Sequence, residues 1–170
     1  MGTFDWITGT KRPARGKAPV PMAELKAALL AINRGTAPFV VQEDASGSAD
    51  LVAEWRVVDA RWYEIFARAN LTKVAKVLMR IDNATHEVRS VDQMWSVQWH
   101  AGLPSMSLSA GAFRGQQVSV EFGTSYAFTE ELRPGQVYQY RFSTKELKSP
   151  LQQVVTNNGW TWRAVAFGRF

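Results

Sequence analysis

The side chains best suited to acid–base chemistry are two histidines, because an imidazole exchanges a proton near neutral pH. His86 lies in a predicted hairpin turn, NATHEV, and His100 ends the predicted strand MWSVQWH. Asp82, Glu87 and Asp92 are close to His86 in sequence, and an imidazole beside a carboxylate can act as a general base. Because such neighbours are also ordinary on a solvated turn, we assign no catalytic residue. A small hydrolase-like enzyme that uses a cleft in the sheet, with His86 or His100 as base, is kept as an alternative.

The other reactive residue types match no motif for catalysis or metal binding. The chain has no cysteine, which excludes a thiolate zinc site and a cysteine nucleophile. No serine lies in GxSxG or SxxK, and the phosphate-binding sequences GxGxxG and GxxxxGK[ST] do not occur. The acidic loop with Glu43, Asp44 and Asp50 lacks the regular spacing of oxygen ligands in a calcium site. We therefore predict no metal site and no cofactor.

Tryptophan occurs 7 times in the chain, and four of these residues form two pairs. Trp95 and Trp99 lie on one face of a predicted strand, and Trp160 and Trp162 lie on one face of another. We favour a core role for most aromatic residues, because each buries a large apolar area. The alternative is that these four tryptophans line a pocket for a lipid, a peptide or stacked bases.

The net charge of +5 is concentrated at the N-terminus. Residues 1–20 contain four cations and one anion, whereas residues 21–170 contain sixteen cations and fourteen anions. The body of the protein is therefore nearly neutral. A basic arm on a neutral body argues against a nucleic-acid-binding protein, for which a basic face on the folded domain is expected.

Residues 1–21 are predicted to form a flexible arm that binds a membrane or a protein partner. Its apolar residues are Phe4, Trp6 and Ile7, and its cations are Lys11, Arg12, Arg15 and Lys17. Aromatic rings favour the headgroup level of a bilayer, and cations are attracted to anionic lipid. In the alternative interpretation, the apolar residues fold back onto the domain. The opening MGTFDWI resembles the Met-Gly-x-Phe-Asp starts of bacterial proteins that work at the inner membrane surface.

The elements that must position these residues are predicted for a single α+β domain over residues 22–170. Apolar residues at helical spacing predict helices in MAELKAALLAINRG, DARWYEIFARAN and STKELKSPLQQVVTNN, the last with Pro150 as an irregularity. Short β-branched and aromatic segments separated by turn signals predict about seven to nine strands. We expect a single antiparallel, curved sheet or partial barrel, with two or three helices packed against it.

These features together predict a non-enzymatic binding or adaptor module of bacterial type. The expected partner is an anionic membrane surface or another protein; nucleic acid is disfavoured, and a nucleic-acid-binding protein is a further alternative. No segment has the roughly 18–20 consecutive apolar residues of a membrane span, and the first residues do not resemble a signal peptide. The expected location is the cytoplasm, with reversible attachment to the inner membrane through the arm.

Overall fold

The protein is an α+β domain, as predicted, in a computed structural model that describes residues 9–68, 71–108, 114–115, 128–133, 136–140 and 144–165. The helices are α1 (Met22–Leu30), α2 (Tyr63–Arg68) and α3 (Thr144–Asn157). The strands are β1 (Phe39–Glu43), β2 (Leu51–Trp55), β3 (Lys73–Asp82), β4 (Glu87–His100), β5 (Leu103–Leu108), β6 (Arg114–Gly115), β7 (Phe128–Arg133), β8 (Gln136–Tyr140) and β9 (Thr161–Ala164).

The main sheet is mixed, so the prediction of a single antiparallel sheet is confirmed only in part. Strands β1 to β5 form an antiparallel meander, and β7 and β8 form a separate hairpin. The last strand, β9, pairs with β4 in parallel. A parallel pair needs a connection that returns the chain to the same end of the sheet, and α3 runs directly before β9. Within the described residues, the pairing order runs from β1 to β5 and does not close into a ring.

Strand β4 organises the sheet because three segments share one of its edges. Its other edge pairs with β3 along ten residues. On the shared edge, β9 pairs with the first residues of β4, β6 pairs with Asp92 and Gln93, and β5 pairs with the last residues. The sequence pattern predicted two separate strands here, HEVRSVD and MWSVQWHA. They are one strand of 14 residues, because the pairing with β3 continues without interruption across Asp92 and Gln93.

The core lies between one face of the sheet and helices α1 and α3. Helix α1 contributes Leu25 and Leu29, which are four residues apart and fully buried. Helix α3 contributes Leu147, Leu151 and Val155 with the same spacing, as expected for an amphipathic helix. The largest buried side chains of the strand region are Phe39, Trp55, Trp160 and Trp162. A smaller apolar cluster contains Ala49, Val52, Leu78 and Val91.

Helix α3 continues through Pro150 as one helix from Thr144 to Asn157. The sequence left open whether Pro150 would kink the helix or divide it into a turn and a helix. Division does not occur. Because proline has no backbone N–H, the carbonyl of Glu146 receives no hydrogen bond from the residue four positions later.

Strand β1 is protected at its outer edge by one side chain. Helix α1 ends at Leu30, and the chain then brings the amide of Asn33 beside Val41. The Nδ2 of Asn33 donates to the Val41 carbonyl, and its Oδ1 accepts from the Val41 N–H, both at 2.7 Å. The side chain thus makes the two bonds that a neighbouring strand would make. Exposed strand edges are sites of unwanted pairing between molecules, and this amide blocks one.

Replacing Asn33 by alanine should destabilise the protein and promote association. Two backbone groups of Val41 would lose their partners, which costs about 2–3 kcal/mol in the free energy of unfolding. Urea denaturation measures this loss, and light scattering near the transition measures association. The control is Asn157→Ala, because Asn157 is exposed at the end of α3. Equal stability of the two variants would contradict the edge-capping role.

Candidate functional site

The basic segment, residues 10–15, is attached to the rest of the protein by hydrogen bonds near its start and beyond its end. Near its start, the backbone of Lys11 forms two hydrogen bonds with Trp162 in β9, with N···O distances of 2.9 and 2.8 Å. Beyond its end, the Val20 N–H donates to the carbonyl of Asn158 at 3.0 Å. The indole Nε1 of Trp160 donates to the Val20 carbonyl at 2.8 Å. Residues 11–20, predicted as part of a flexible arm, are therefore fixed at two places.

The second attachment is tight because it lies against a glycine. Gly159 follows α3 and has a φ of +78°, a conformation that glycine adopts without the steric cost that other residues incur. A Cβ atom at this position would lie 2.2 Å from the carbonyl oxygen of Ala18 and 2.8 Å from the Cα of Pro19. Only glycine lets the backbone of residues 18–20 pass this close to the end of α3.

Between the two attachments, the basic segment and helix α3 enclose an open groove of about 1050 Å³. One wall is the basic segment, which contributes the three cations Lys11, Arg12 and Arg15. The other wall is the outer face of α3. It contributes Ser149, Gln152, Gln153 and Thr156.

The spacing of the helix residues explains why they form a wall. Residues 149, 152, 153 and 156 follow the i, i+3, i+4, i+7 pattern that defines one face of a helix. This face is opposite to the buried stripe of Leu147, Leu151 and Val155. All four residues are uncharged and carry hydroxyl or amide groups. The wall can therefore form hydrogen bonds without contributing charge.

The described lining of the groove is positively charged. No carboxylate is among its described residues, and the side chains of Lys11, Arg12 and Arg15 are exposed. Within the described part of the chain, Lys11 and Arg15 form no ion pair. Cations gathered on one wall raise the local concentration of anions. Chemically, this groove is suited to hold an anionic ligand.

The structure thus brings three of the predicted arm cations into one site and leaves the fourth beside it. Lys17 is exposed and does not line the groove. Its backbone N–H donates to the carbonyl of Ala14 at 3.0 Å, in a turn that contains Gly16 at a φ of +82°. The predicted apolar residues of the arm, Phe4, Trp6 and Ile7, lie outside the described residues.

The structure does not assemble the tryptophan pocket that was the alternative to a core role. Trp160 and Trp162 are 0% exposed and belong to the main core, so they do not line an open pocket and have the core role that was favoured for most aromatic residues. Trp162 pairs with Val88 near the start of β4, whereas Trp95 and Trp99 lie seven and eleven residues further along the same strand. At about 3.3 Å per residue, more than 20 Å of strand separates the two pairs.

Trp95 and Trp99 are half-buried and already have polar partners. The Nε1 of Trp99 donates to the carbonyl of Leu71 at 2.8 Å. The Nε1 of Trp95 donates to the side chain of Gln93 at 3.1 Å. The ammonium of Lys76 lies 4.3 Å from the centre of the Trp95 ring, a cation–π contact. Both tryptophans pack against the main core.

The histidines do not form a common site. His86 precedes the first residue of β4 and His100 is its last, so a strand on the order of 40 Å long separates them. The carboxylates near His86 are engaged elsewhere: Glu87 contacts Arg163 at 3.3 Å, and Asp82 contacts Arg89 at 3.2 Å.

The pKa of Asp82 also argues against a catalytic role for this carboxylate. Desolvation raises its pKa, but hydrogen bonds from Thr85 and Ala84 and the charge of Arg89 outweigh it, so the pKa of Asp82 is lowered overall. A carboxylate with a lowered pKa is stabilised in its charged form and is a weaker base. The His86 side chain contacts the Trp160 ring instead, edge to face at 5.0 Å.

A buried ion pair that the sequence analysis did not identify lies between the sheet and α3. The Nζ of Lys148 is 2.6 Å from the Oδ2 of Asp92, and the side chains are 8% and 0% exposed. Ser90 and Thr144 are also buried, one on the same strand face as Asp92 and one a helical turn before Lys148. A signal for this pair was available: Lys148 falls within the apolar stripe of α3. We assign the pair a structural role, since both side chains are buried between the sheet and α3.

Other classes of site find no support in the described part of the chain. No group of three or more histidine, cysteine, aspartate or glutamate side chains there is arranged to hold a metal ion. No helix there is long and apolar enough to cross a membrane. Comparison with protein-family models, with curated proteins and with solved structures found no match to this chain.

Proposed function

We propose that this protein is a non-enzymatic binding module that holds an anionic partner in the groove between the basic segment and α3. The observation that carries the proposal is the position of Lys11, Arg12 and Arg15 on one wall of a groove that no carboxylate lines among the residues the structure describes. The proposal is the binding or adaptor role expected from the sequence, now attributed to particular side chains.

The fixed backbone of the basic segment supports this role. A flexible tail loses conformational entropy when it binds, and that loss weakens binding. Here the backbone hydrogen bonds of Lys11 and Val20 hold the segment before any ligand arrives. The cost of ordering on binding is limited to the side chains.

The expected attachment to anionic membrane draws on the same cations. In that form of the proposal, Phe4, Trp6 and Ile7 would insert beside the headgroups while Lys11, Arg12 and Arg15 contact the phosphates. The alternative hydrolase-like function draws no support from His86, because the neighbouring carboxylates of Asp82 and Glu87 contact arginines. The nucleic-acid alternative draws none from the groove, because no aromatic side chain on which bases could stack is among its described lining residues.

Removing the three cations should weaken binding of a polyanion. We expect the full chain to bind a short polyacrylate more tightly at low salt than at high salt, because screening weakens charge interactions. The triple variant Lys11→Gln, Arg12→Gln, Arg15→Gln should lose about 10- to 100-fold in affinity, which corresponds to roughly 0.5–1 kcal/mol for each cation. Titration calorimetry at two salt concentrations measures both effects.

The matched control removes three exposed cations that are not among the described lining residues of the groove: Arg61→Gln, Arg68→Gln and Lys73→Gln. Both variants have the same net charge, so a general charge effect would weaken them equally. Equal weakening, or no salt-dependent binding by the unaltered chain, would overturn the proposal. Binding to vesicles that is lost on replacing Phe4, Trp6 and Ile7 by alanine would support the membrane form of it.

A further inference from the structure

We infer that the anionic partner is an extended, acidic segment of another protein, which lies along the groove with its backbone against α3. The inference rests on the proposed function and adds the chemical class of the partner. It is carried by the uncharged wall of the groove, which the charge argument alone does not explain.

The amide groups of Gln152 and Gln153 are suited to a peptide. A carboxamide has an N–H donor and a C=O acceptor, and a peptide backbone offers one of each at every residue. Phosphate and carboxylate groups offer acceptors alone, so they would satisfy only the donor half of each amide. The hydroxyl of Ser149 adds a further group that both donates and accepts. This wall therefore matches a ligand that carries donors as well as negative charge.

The dimensions of the two walls agree with a short extended segment. From Ser149 to Thr156 the helix advances about 10 Å, at 1.5 Å per residue. An extended peptide of three or four residues covers the same distance. The cations run from Lys11 to Arg15 on the facing wall, so two or three acidic side chains of such a peptide would meet them. The groove volume of about 1050 Å³ lies at the upper limit of pockets for small molecules, roughly 300–1,000 Å³.

The depth of the groove favours a chain over a flat surface. Ser149 and Gln152 are only partly exposed, whereas Gln153 and the three cations are exposed. A bilayer would reach the exposed cations and leave the recessed side chains of Ser149 and Gln152 without partners. A peptide strand is narrow enough to contact both walls at once. The geometry thus favours a peptide over a membrane surface at this site.

The test separates recognition of charge from recognition of the peptide backbone. The probes are a fluorescent decapeptide of glutamate and a polyacrylate with the same number of carboxylates, both titrated by anisotropy or calorimetry. We expect the double variant Gln152→Leu, Gln153→Leu to bind the peptide about 10-fold more weakly and to bind polyacrylate as before. The control Gln98→Leu, at an exposed position of β4, should bind both probes as the unaltered chain does.

The remaining outcomes distinguish failure of this inference from failure of the proposed function. If the glutamine variant binds both probes unchanged, or loses both equally, the backbone is not recognised and the peptide inference falls. Loss of both probes in the triple-cation variant would still support the anion-binding groove. If anionic vesicles displace polyacrylate from the unaltered chain and the peptide does not bind, the partner is a membrane and the peptide inference falls. If the unaltered chain binds neither probe nor vesicles, both proposals fall.

Discussion

Replacing Lys148 by methionine should lower the free energy of unfolding by about 3–5 kcal/mol, the usual cost of leaving one partner of a buried ion pair behind. The carboxylate of Asp92 is 0% exposed, so its charge would stay buried without the ammonium. Methionine has a similar length and helix propensity, so the loss is attributable to the missing charge rather than to the helix.

Removing both partners should restore much of the loss. In the double variant Asp92→Val, Lys148→Met, no charge is left in the core, and valine suits the interior of strand β4. Buried pairs replaced by apolar residues of similar volume are often as stable as the original. We expect the double variant to be more stable than Lys148→Met. Urea denaturation of the unaltered chain, the two single variants Asp92→Val and Lys148→Met, and the double variant measures the free energy of unfolding of each and completes the double-mutant cycle. A double variant less stable than both single variants would show that Asp92 and Lys148 act through other partners.

The second large effect is expected for Gly159→Ala, which should destabilise the protein by about 2–4 kcal/mol. The φ of +78° costs a residue with a Cβ roughly 1–2 kcal/mol. The added carbon would also lie 2.2 Å from the carbonyl oxygen of Ala18. The segment must therefore move, and the hydrogen bonds of Val20 with Asn158 and Trp160 would weaken by about 1 kcal/mol each.

Variants at two other glycines distinguish the cost of the positive φ from the cost of the steric contact. Gly47 has a φ of +75° and no atom within 4 Å of its would-be Cβ, and Gly35 has open space and no positive φ. Gly47→Ala should therefore show the conformational cost alone, and Gly35→Ala should be nearly neutral. Thermal unfolding of the three variants gives the order. If Gly159→Ala unfolds at the same temperature as Gly47→Ala or higher, the close approach of residues 18–20 to Gly159 does not contribute to stability.

Gly159→Ala also connects stability to the proposed function. The variant displaces one attachment of the basic segment without changing a charge. If preorganisation matters, it should bind the polyanion more weakly than Gly47→Ala does, although both keep all the cations. Full affinity in a destabilised Gly159→Ala variant would show that the cations act without a fixed backbone.

Local patterns in the sequence predicted much of the fold because they depend on nearby residues. The four-residue spacing of Leu25 and Leu29 specifies the buried face of α1, and the alternation in KVAKVLMRID specifies β3. The direction of β9 and the unbroken course of β4 were not predictable in this way. Both depend on hydrogen bonds with strands far away in the chain, and the alternating pattern of a strand does not encode its partner.

Only one wall of the candidate site could be recognised from the sequence, because only that wall depends on residues close together in the chain. The cations Lys11, Arg12 and Arg15 stand out as a local excess of charge. The glutamines of α3 do not, because uncharged polar residues on an outer helix face are ordinary. Their significance arises only when the basic segment is brought beside them by Trp162 and Gly159. The buried pair of Asp92 and Lys148, 56 residues apart, is another such nonlocal contact.

The attachment of Val20 to Trp160 has a consequence for the order of folding. These residues are 140 positions apart, and contacts that close such long loops form late because the chain loses much entropy in making them. The groove is thus completed only after β9 is in place, although its three cations precede all the helices and strands named above in the sequence. A ligand in the groove would join two segments that are far apart in the sequence, and hydrogen exchange at Lys11, Val20 and Trp162 would slow together when it binds.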